Sequence, residues 1–421
     1  MNNIINILDM GAVPNGSLQT DKVQAAIDYI GSIGGGEVVI PEGTFIVGGL
    51  SLRSGVKLHL QNGAVLQGSS NWEDYVYNNA YEKCPCSPLS SRPASFRHSR
   101  WHNSLIRACD VENIGIIGEG AVLDGVDCQD PMGEEGFRGP HLIYFTGCHN
   151  INLQGYTIRQ SANYAHLMED CSDSVIKAVT VLGGHDGVHL QRCKNIIIQD
   201  CTLQTGDDCI AGGDNSNIKV LNCDINTSCN GFRFGADGLL VKACRFQGPG
   251  LFEHRKSQRN NMLSAFQYYS PVDRKTQTIG GNWHIENCVV NNVDYFFFYN
   301  FYSKDNWQCA QPLRDVYIEN LDATNILNPI IVFGDEGRHF KLFLEQVNWS
   351  FAQGYEAQPV ISIYNFDNLK LKSFKVLNNH TLPLIEASCG GGIGLQDVLS
   401  HTQGELLITS ETEKLKNIKN F

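Results

Sequence analysis

Long apolar runs are missing from this chain: no 18 consecutive apolar residues occur, so no membrane-spanning helix is expected. The first residues, MNNIINILDMGAVPNG, carry neither a charged leader segment nor a long apolar core. On that reading the expected location is the cytoplasm, with a trimmed secreted form as the alternative. Positive charge is scarce as well. Lys and Arg number 32 against 44 Asp and Glu, for a net charge of -12 and a pI near 5.5, and there is no basic arm or stripe. That balance excludes nucleic acid as the main partner. Zinc-like spacing is absent too. The 15 cysteines are an odd count, and Cys84-Pro85-Cys86 lacks a second Cys or His pair, so it reads as a loop turn. Neither a metal nor a cofactor is expected, and the oligomeric state is left open.

What the chain does have is glycine, 42 residues of it, and a repeat. The segments NINLQGYTI, DSVIKAVTV, NIIIQDCTL, NIKVLNCDI and GLLVKACRF align Asn150, Asp173, Asn195, Asn217 and Gly238, with steps of 23, 22, 22 and 21 residues. In the same register Tyr156, Val179, Cys201, Cys223 and Cys244 form one apolar column, and Ile158, Val181, Leu203, Ile225 and Phe246 another. The pattern alternates as strands do and bends at Asn, which fits a β-solenoid whose coils bury a core only by stacking. A leucine-rich repeat is disfavoured, because its Leu-x-x-Leu-x-Leu pattern is absent. The cysteines on these columns, including Cys148, Cys171 and Cys193, read as small buried spacers, and free thiols are expected throughout the chain, in a reducing compartment.

Stacked coils lie roughly 4.8 Å apart, so residues one period apart become neighbours. In GGHDGVHLQRCKNIIIQDCTLQTGDDCIAG that register sets Asp186 against Asp208 and His185 against Asp207. Taken singly, each Asp is a turn former. Several carboxylates on one turn cannot all ionise freely, so one is expected to supply an acid and another a base.

The rest of the chain reads as one domain over residues 1–421. Thr20 or Asp21 opens a short capping helix over about 20–33, with Val23, Ala26, Ile27 and Ile30 on one face and capping-box spacing from Asp21 to Gln24. Periodicity lapses over 72–103 and again over 248–266, two loop excursions of the kind that often serve function. The second follows the aspartate coils and carries His254, Arg255, Lys256 and Arg259. Beyond it the step lengthens, with 26 residues from Ile318 to Leu344 and 27 from Leu344 to Leu371.

The opening block from Leu8 to Ser69, then GEGAVLDG, then TGDDCIA one coil after an Asp-Gly, together resemble family 28 glycoside hydrolases, the polygalacturonase group. The resemblance covers most of Leu8 to Gly248 and implies an all-β, single-stranded right-handed parallel β-helix. It implies inverting hydrolysis, with Asp207 as general acid and Asp186 with Asp208 activating water. The family's Asn-Thr-Asp falls on Gly184-His185-Asp186, retaining the aspartate. Its Gly-His-Gly falls on Cys229-Asn230-Gly231, so Asn230 stands where the family has histidine. Its Arg-x-Lys, which grips a uronate, has no match, and Arg233, Arg255 and Lys256 are substitutes by location.

The expected catalytic residues are therefore Asp186, Asp207 and Asp208, and the expected substrate contacts are His185, His189, His166, Asn230, Arg233, Arg255 and Lys256. For His166 and His189 a structural role is the competing reading. The partner expected is a carbohydrate, cleaved at a glycosidic bond, with exo action if the two excursions wall off one end of the groove. A polysaccharide lyase, a sugar epimerase or transferase, and a non-catalytic carbohydrate-binding β-helix stay open beside it.

Overall fold

The structure, a computed structural model, describes residues 3–75, 101–270, 278–302, 311–378 and 383–400, and the backbone of strands Leu407–Thr409 and Ile418–Asn420. Cys84 to Cys86 and most of the 72–103 excursion lie outside these residues. The chain falls into two compact units, Met1–Asp207 and Asp208–Phe421. Both are coils of parallel β-helix, the expected fold class. Among the described residues no helix is long and apolar enough to cross a membrane.

In the first unit, strand Gly36–Ile40 pairs in parallel with Val56–Leu60, which pairs with Glu112–Asp124, then His149–Arg159, Ser172–Lys177 and Lys194–Gln199. The register is the one read from the sequence: Asn152 opposes Val175, and Val175 opposes Ile197. The polar column has a physical cause. Asn150, Asp173 and Asn195 sit at φ of 53°, 53° and 57°, the left-handed region that Asn and Asp tolerate better than other side chains. Stacking lets them bond one another, and Asn195 Nδ2 donates to Asp173 Oδ1 at 2.7 Å. In the second unit Asn217 and Gly238 repeat the bend at φ 52° and 77°. The longer steps also hold, since Ile318 opposes Leu344 and Leu344 opposes Leu371.

The helix runs Thr20–Ser32 and buries Val23, Ala26, Ile27 and Ile30, the expected face. The expected capping box does not form. Gln19 is the N-cap, without a side-chain cap bond. Gln24 instead exchanges two hydrogen bonds with the Ser51 backbone at 2.8 and 2.9 Å, and Thr20 Oγ1 accepts from Gly48 N. Tertiary partners of the helix have taken the groups that a local cap would use.

The column cysteines Cys148, Cys171 and Cys193 are buried free thiols. Their Sγ atoms donate to backbone carbonyls, as Cys193 does to Met168 O at 3.3 Å. Free thiols throughout is nonetheless incorrect, because Cys109 is disulfide-bonded. Cys109 ends strand Ser104–Cys109 and is only half-buried, so it is not one of the enclosed spacers. A disulfide also removes the cysteine argument for a reducing compartment.

One sheet of the first unit departs from the usual solenoid. Strands Ser104–Cys109, His141–Thr146, His166–Glu169 and Val188–Gln191 pair in sequence. Ile106, Ile143, His166 and Val188 share the core face, and Arg107, Tyr144, Leu167 and His189 the opposite one. Both rows are buried. Trp101 and Tyr164 pack with Tyr144 and Leu167 on the outer face.

Candidate active site

Asp186 and Asp207 belong to the first unit. Asp186 precedes strand Val188–Gln191 on a turn begun by Gly183 and Gly184, whose φ values are 76° and 78°. A Cβ on Gly184 would stand 2.9 Å from Ser161 O, so that turn requires glycine for both conformation and closeness. Asp186 is 1% exposed, and its Oδ2 accepts from His189 Nδ1 at 2.7 Å. The His189 ring stacks on Tyr164 at 4.7 Å and 6°. His185 is buried, with Phe137 5.8 Å away between ring centroids.

Asp207 is paired with Arg138, whose Nη2 lies 3.0 Å from Oδ2. Arg138 Nε donates to Glu135 Oε2 at 2.9 Å, and its guanidinium lies 5.8 Å from the Tyr164 ring centroid. Only 7% of the Arg138 side chain is exposed. Burial opposes its charge, but Asp207 first, then Glu134, Tyr164 and Glu135, raise its pKa above the ordinary arginine value.

Asp208 opens the second unit and is fully buried. Its Oδ1 accepts from Asn230 N at 3.2 Å and Asn230 Nδ2 at 2.7 Å, and its Oδ2 accepts from Arg233 Nε. Asn230 Oδ1 accepts in turn from Ser264 Oγ at 2.7 Å. The Arg233 guanidinium lies 4.5 Å from the Tyr269 ring centroid. Asn230, expected to touch sugar, is therefore a positioning residue, since it is buried with both ends of its amide engaged. Arg233 likewise serves Asp208 before any ligand.

His166 is corrected in the same way. It lies in the core, with Tyr156 Oη 2.9 Å from Nε2 and Gly187 O 3.0 Å from Nδ1. Burial pushes its pKa down to about 4. It has no nitrogen left for substrate, and its bond to Gly187 instead fixes the residue next to Asp186.

The excursion 248–266 is pinned beside residues 226–230 of the second unit. Leu251 N donates to Asn226 Oδ1 at 2.7 Å, Ser228 Oγ to Phe252 O, and Arg259 Nη2 to Cys229 Sγ at 3.4 Å. On it Arg255 is half-buried and Lys256 exposed. The segment the sequence reading missed is another loop, residues 127–140. Its DCQDPMGEEGFRGP composition breaks the strand pattern, and this was the available signal. It carries Phe137 to His185 and Arg138 to Asp207.

Residues 32–235 match the model for glycosyl hydrolases family 28. That segment, a little under half of the chain, is similar to the family. It contains Asp186, Asp207, Asp208, Asn230 and Arg233. Among relatives, the chain is 27% identical over 253 residues to an exo-poly-alpha-D-galacturonosidase of Dickeya chrysanthemi, covering 49% of this chain and 41% of that one. It is 24% identical over 253 residues to an endo-polygalacturonase of Pectobacterium carotovorum, covering 53% and 60%. The chain thus spans less than two thirds of the length of these relatives. In fold it is similar to a family 28 exopolygalacturonase of Yersinia enterocolitica, with a TM-score of 0.60 at 19% identity over 100% of this chain and 78% of that one. A surface protein and adhesin of Streptococcus pneumoniae gives 0.55 at 16%, over 99% and 100%. The fold alone therefore does not decide for catalysis.

Proposed function

We propose that the chain is a glycoside hydrolase acting on an oligo- or polysaccharide, with Asp207 as proton donor and Asp186 and Asp208 as the carboxylates that activate water. The observation that carries this reading is that each family acid has its own holding partner: His189 for Asp186, Arg138 for Asp207, Asn230 and Arg233 for Asp208. Turn formers facing solvent would not need such partners. In the reaction the Asp207 proton passes to the glycosidic oxygen as the bond to the anomeric carbon breaks. Water attacks that carbon and gives its proton to a carboxylate, which inverts the configuration.

One requirement follows from Arg138. A guanidinium 3.0 Å away favours the carboxylate form of Asp207, whereas a general acid must carry a proton. Asp207 must therefore loosen from Arg138 as substrate arrives. The missing Arg-x-Lys leaves the sugar itself open, and a galacturonide is one candidate supplied by the relatives' names. Exo action is supported by the burial of the outer face of strands Ser104–Cys109 to Val188–Gln191.

Incubation with plant and host glycans, with assay of reducing ends, tests the reading. Single sugars released from one chain end, with an inverted anomer by proton NMR, are expected. Unsaturated products absorbing in the ultraviolet would indicate a lyase. No turnover on any glycan, with binding untouched by Asp→Asn at all three acids, would overturn the reading.

A further inference from the structure

The proposed reaction leaves one nucleophilic side chain of the second unit unused, the Cys229 thiol beside Asn230. Cys209, Cys223, Cys244 and Cys288 of that unit donate to backbone carbonyls, and none is more than 2% exposed. Burial raises Cys288 to about 11, which leaves roughly one thiolate in 10⁴ at neutral pH. Cys229 differs on both counts. It is 8% exposed, and its sulfur receives donors, since Asn230 Nδ2 and Arg259 Nη2 each reach Sγ at 3.4 Å.

The surroundings of that sulfur suit an oxygen carried on it. Arg259 Nε donates to Ser257 Oγ at 3.1 Å, while its Nη1 is enclosed with no hydrogen-bond partner. An enclosed guanidinium N–H without an acceptor is unfavourable, and an oxygen on Sγ, which the same fork already reaches through Nη2, would supply one. A ring nitrogen of His254 also lies within 4.8 Å of Sγ. A thiol beside a guanidinium is shifted towards thiolate, the reactive form. Asp208, across the Asn230 amide, opposes a second negative charge, and Arg233 on its other oxygen offsets that opposition.

We propose that Cys229 is a peroxide-sensitive modification site, oxidised to a sulfenic acid whose oxygen is held by Arg259. The thiol proton leaves to water, and the thiolate attacks one oxygen of hydrogen peroxide, forming an S–O bond as the O–O bond breaks. Sulfur gives up two electrons, and the departing hydroxide takes up a proton to become water. The modification acts on Asp208 through Asn230. That amide has two Nδ2 protons, one directed to Asp208 Oδ1 and the other to Cys229 Sγ. Oxygen is a stronger acceptor than sulfur, so the oxidised side chain draws the amide away from Asp208 and loosens the carboxylate.

What this means for turnover rests on the hydrolytic reading, but the test reads modification and hydrogen exchange, so the two are decided separately. The full chain, with its disulfide intact, is treated with hydrogen peroxide and dimedone, and adducts are located by peptide mass spectrometry. Exchange of the Asn230 amide is followed in parallel samples without dimedone. Cys229 should be labelled at least tenfold faster than the other described free thiols. Cys389, equally exposed at 8% but on strand Ile385–Gln396, is the internal control. Arg259→Gln should slow labelling of Cys229 at least tenfold, with Arg259→Lys in between. Exchange at Asn230 should quicken on oxidation and return to its first rate after dithiothreitol. Labelling of Cys229 no faster than of Cys389, labelling indifferent to Arg259→Gln, or unchanged Asn230 exchange in the oxidised chain would overturn the proposal.

Discussion

Replacing Arg138 by Met tests the reading of the acid site most sharply, because one side chain serves two carboxylates. Its Nη2 is 3.0 Å from Asp207 and its Nε 2.9 Å from Glu135, with side-chain exposures of 7%, 14% and 17% for the three. Removing one partner of a buried pair costs about 3–5 kcal/mol, since the remaining charge is uncompensated. A carboxylate can escape part of that cost by taking a proton. An opposite charge at this range shifts a carboxylate by about 1–3 pKa units, worth about 1.4–4 kcal/mol. The loss of stability should therefore be largest near neutral pH and shrink as the pH falls towards the carboxylate range. Urea unfolding of wild type and Arg138→Met across that range measures it, with Arg138→Lys, which keeps charge but not the fork, in between. In the same variant, loss of the cation favours protonated Asp207, so the alkaline limb of kcat/KM should move to higher pH. An unchanged urea midpoint at neutral pH would refute the structural part of this reasoning. An alkaline limb that stays fixed or moves down would remove Asp207 as the proton donor.

Three further outcomes are expected. Asn at Asp186, Asp207 or Asp208 should leave folding intact and lower turnover at least about a hundredfold, with Asp207→Asn hurt least on aryl glycosides with good leaving groups; near-normal rates of Asp207→Asn on poor leaving groups would count against the assignment. His166, held neutral with a pKa of about 4 against an ordinary 6.5, takes its proton first in the unfolded chain. Its contribution is complete above pH 6.5 and is lost as pH falls towards 4, up to about 3 kcal/mol; unfolding curves of wild type and His166→Gln would show the same acid slope if this is wrong. Gly184→Ala should cost about 1–2 kcal/mol from its positive φ alone and more from the Ser161 contact, and an Ala variant of undiminished thermal stability would contradict the turn geometry.

The fold was legible because its cause is periodic. A bend at φ near 53° favours Asn, Asp or Gly, so Asn150, Asp173, Asn195, Asn217 and Gly238 report the coil length. The same spacing pointed to the acids and to the enclosed Cys148, Cys171 and Cys193. What the repeat cannot report is contact made from outside it. Arg138 reaches Asp207 across 69 residues from an irregular loop, at a separation unrelated to any number of coils. Gln24 and Thr20 have capping chemistry by spacing, yet strand backbones took their side chains. The burial of Arg107, Tyr144 and Glu169 on an outer face also ran against the alternation that identified their strands.

Asn230 shows how the loss of one family residue bears on function. A histidine in that place could change charge near physiological pH; an amide cannot. Asn230 gives its Nδ2 proton to Asp208 and receives one from Ser264, so it holds the carboxylate without titrating. The positive charge at Asp208 comes from Arg233, which stays ionised at every working pH. The cation at Asp207 is again an arginine, supplied by the 127–140 loop. Asp207 and Asp208 thus each have an arginine partner, which does not titrate, while Asp186 leans on an imidazole, His189.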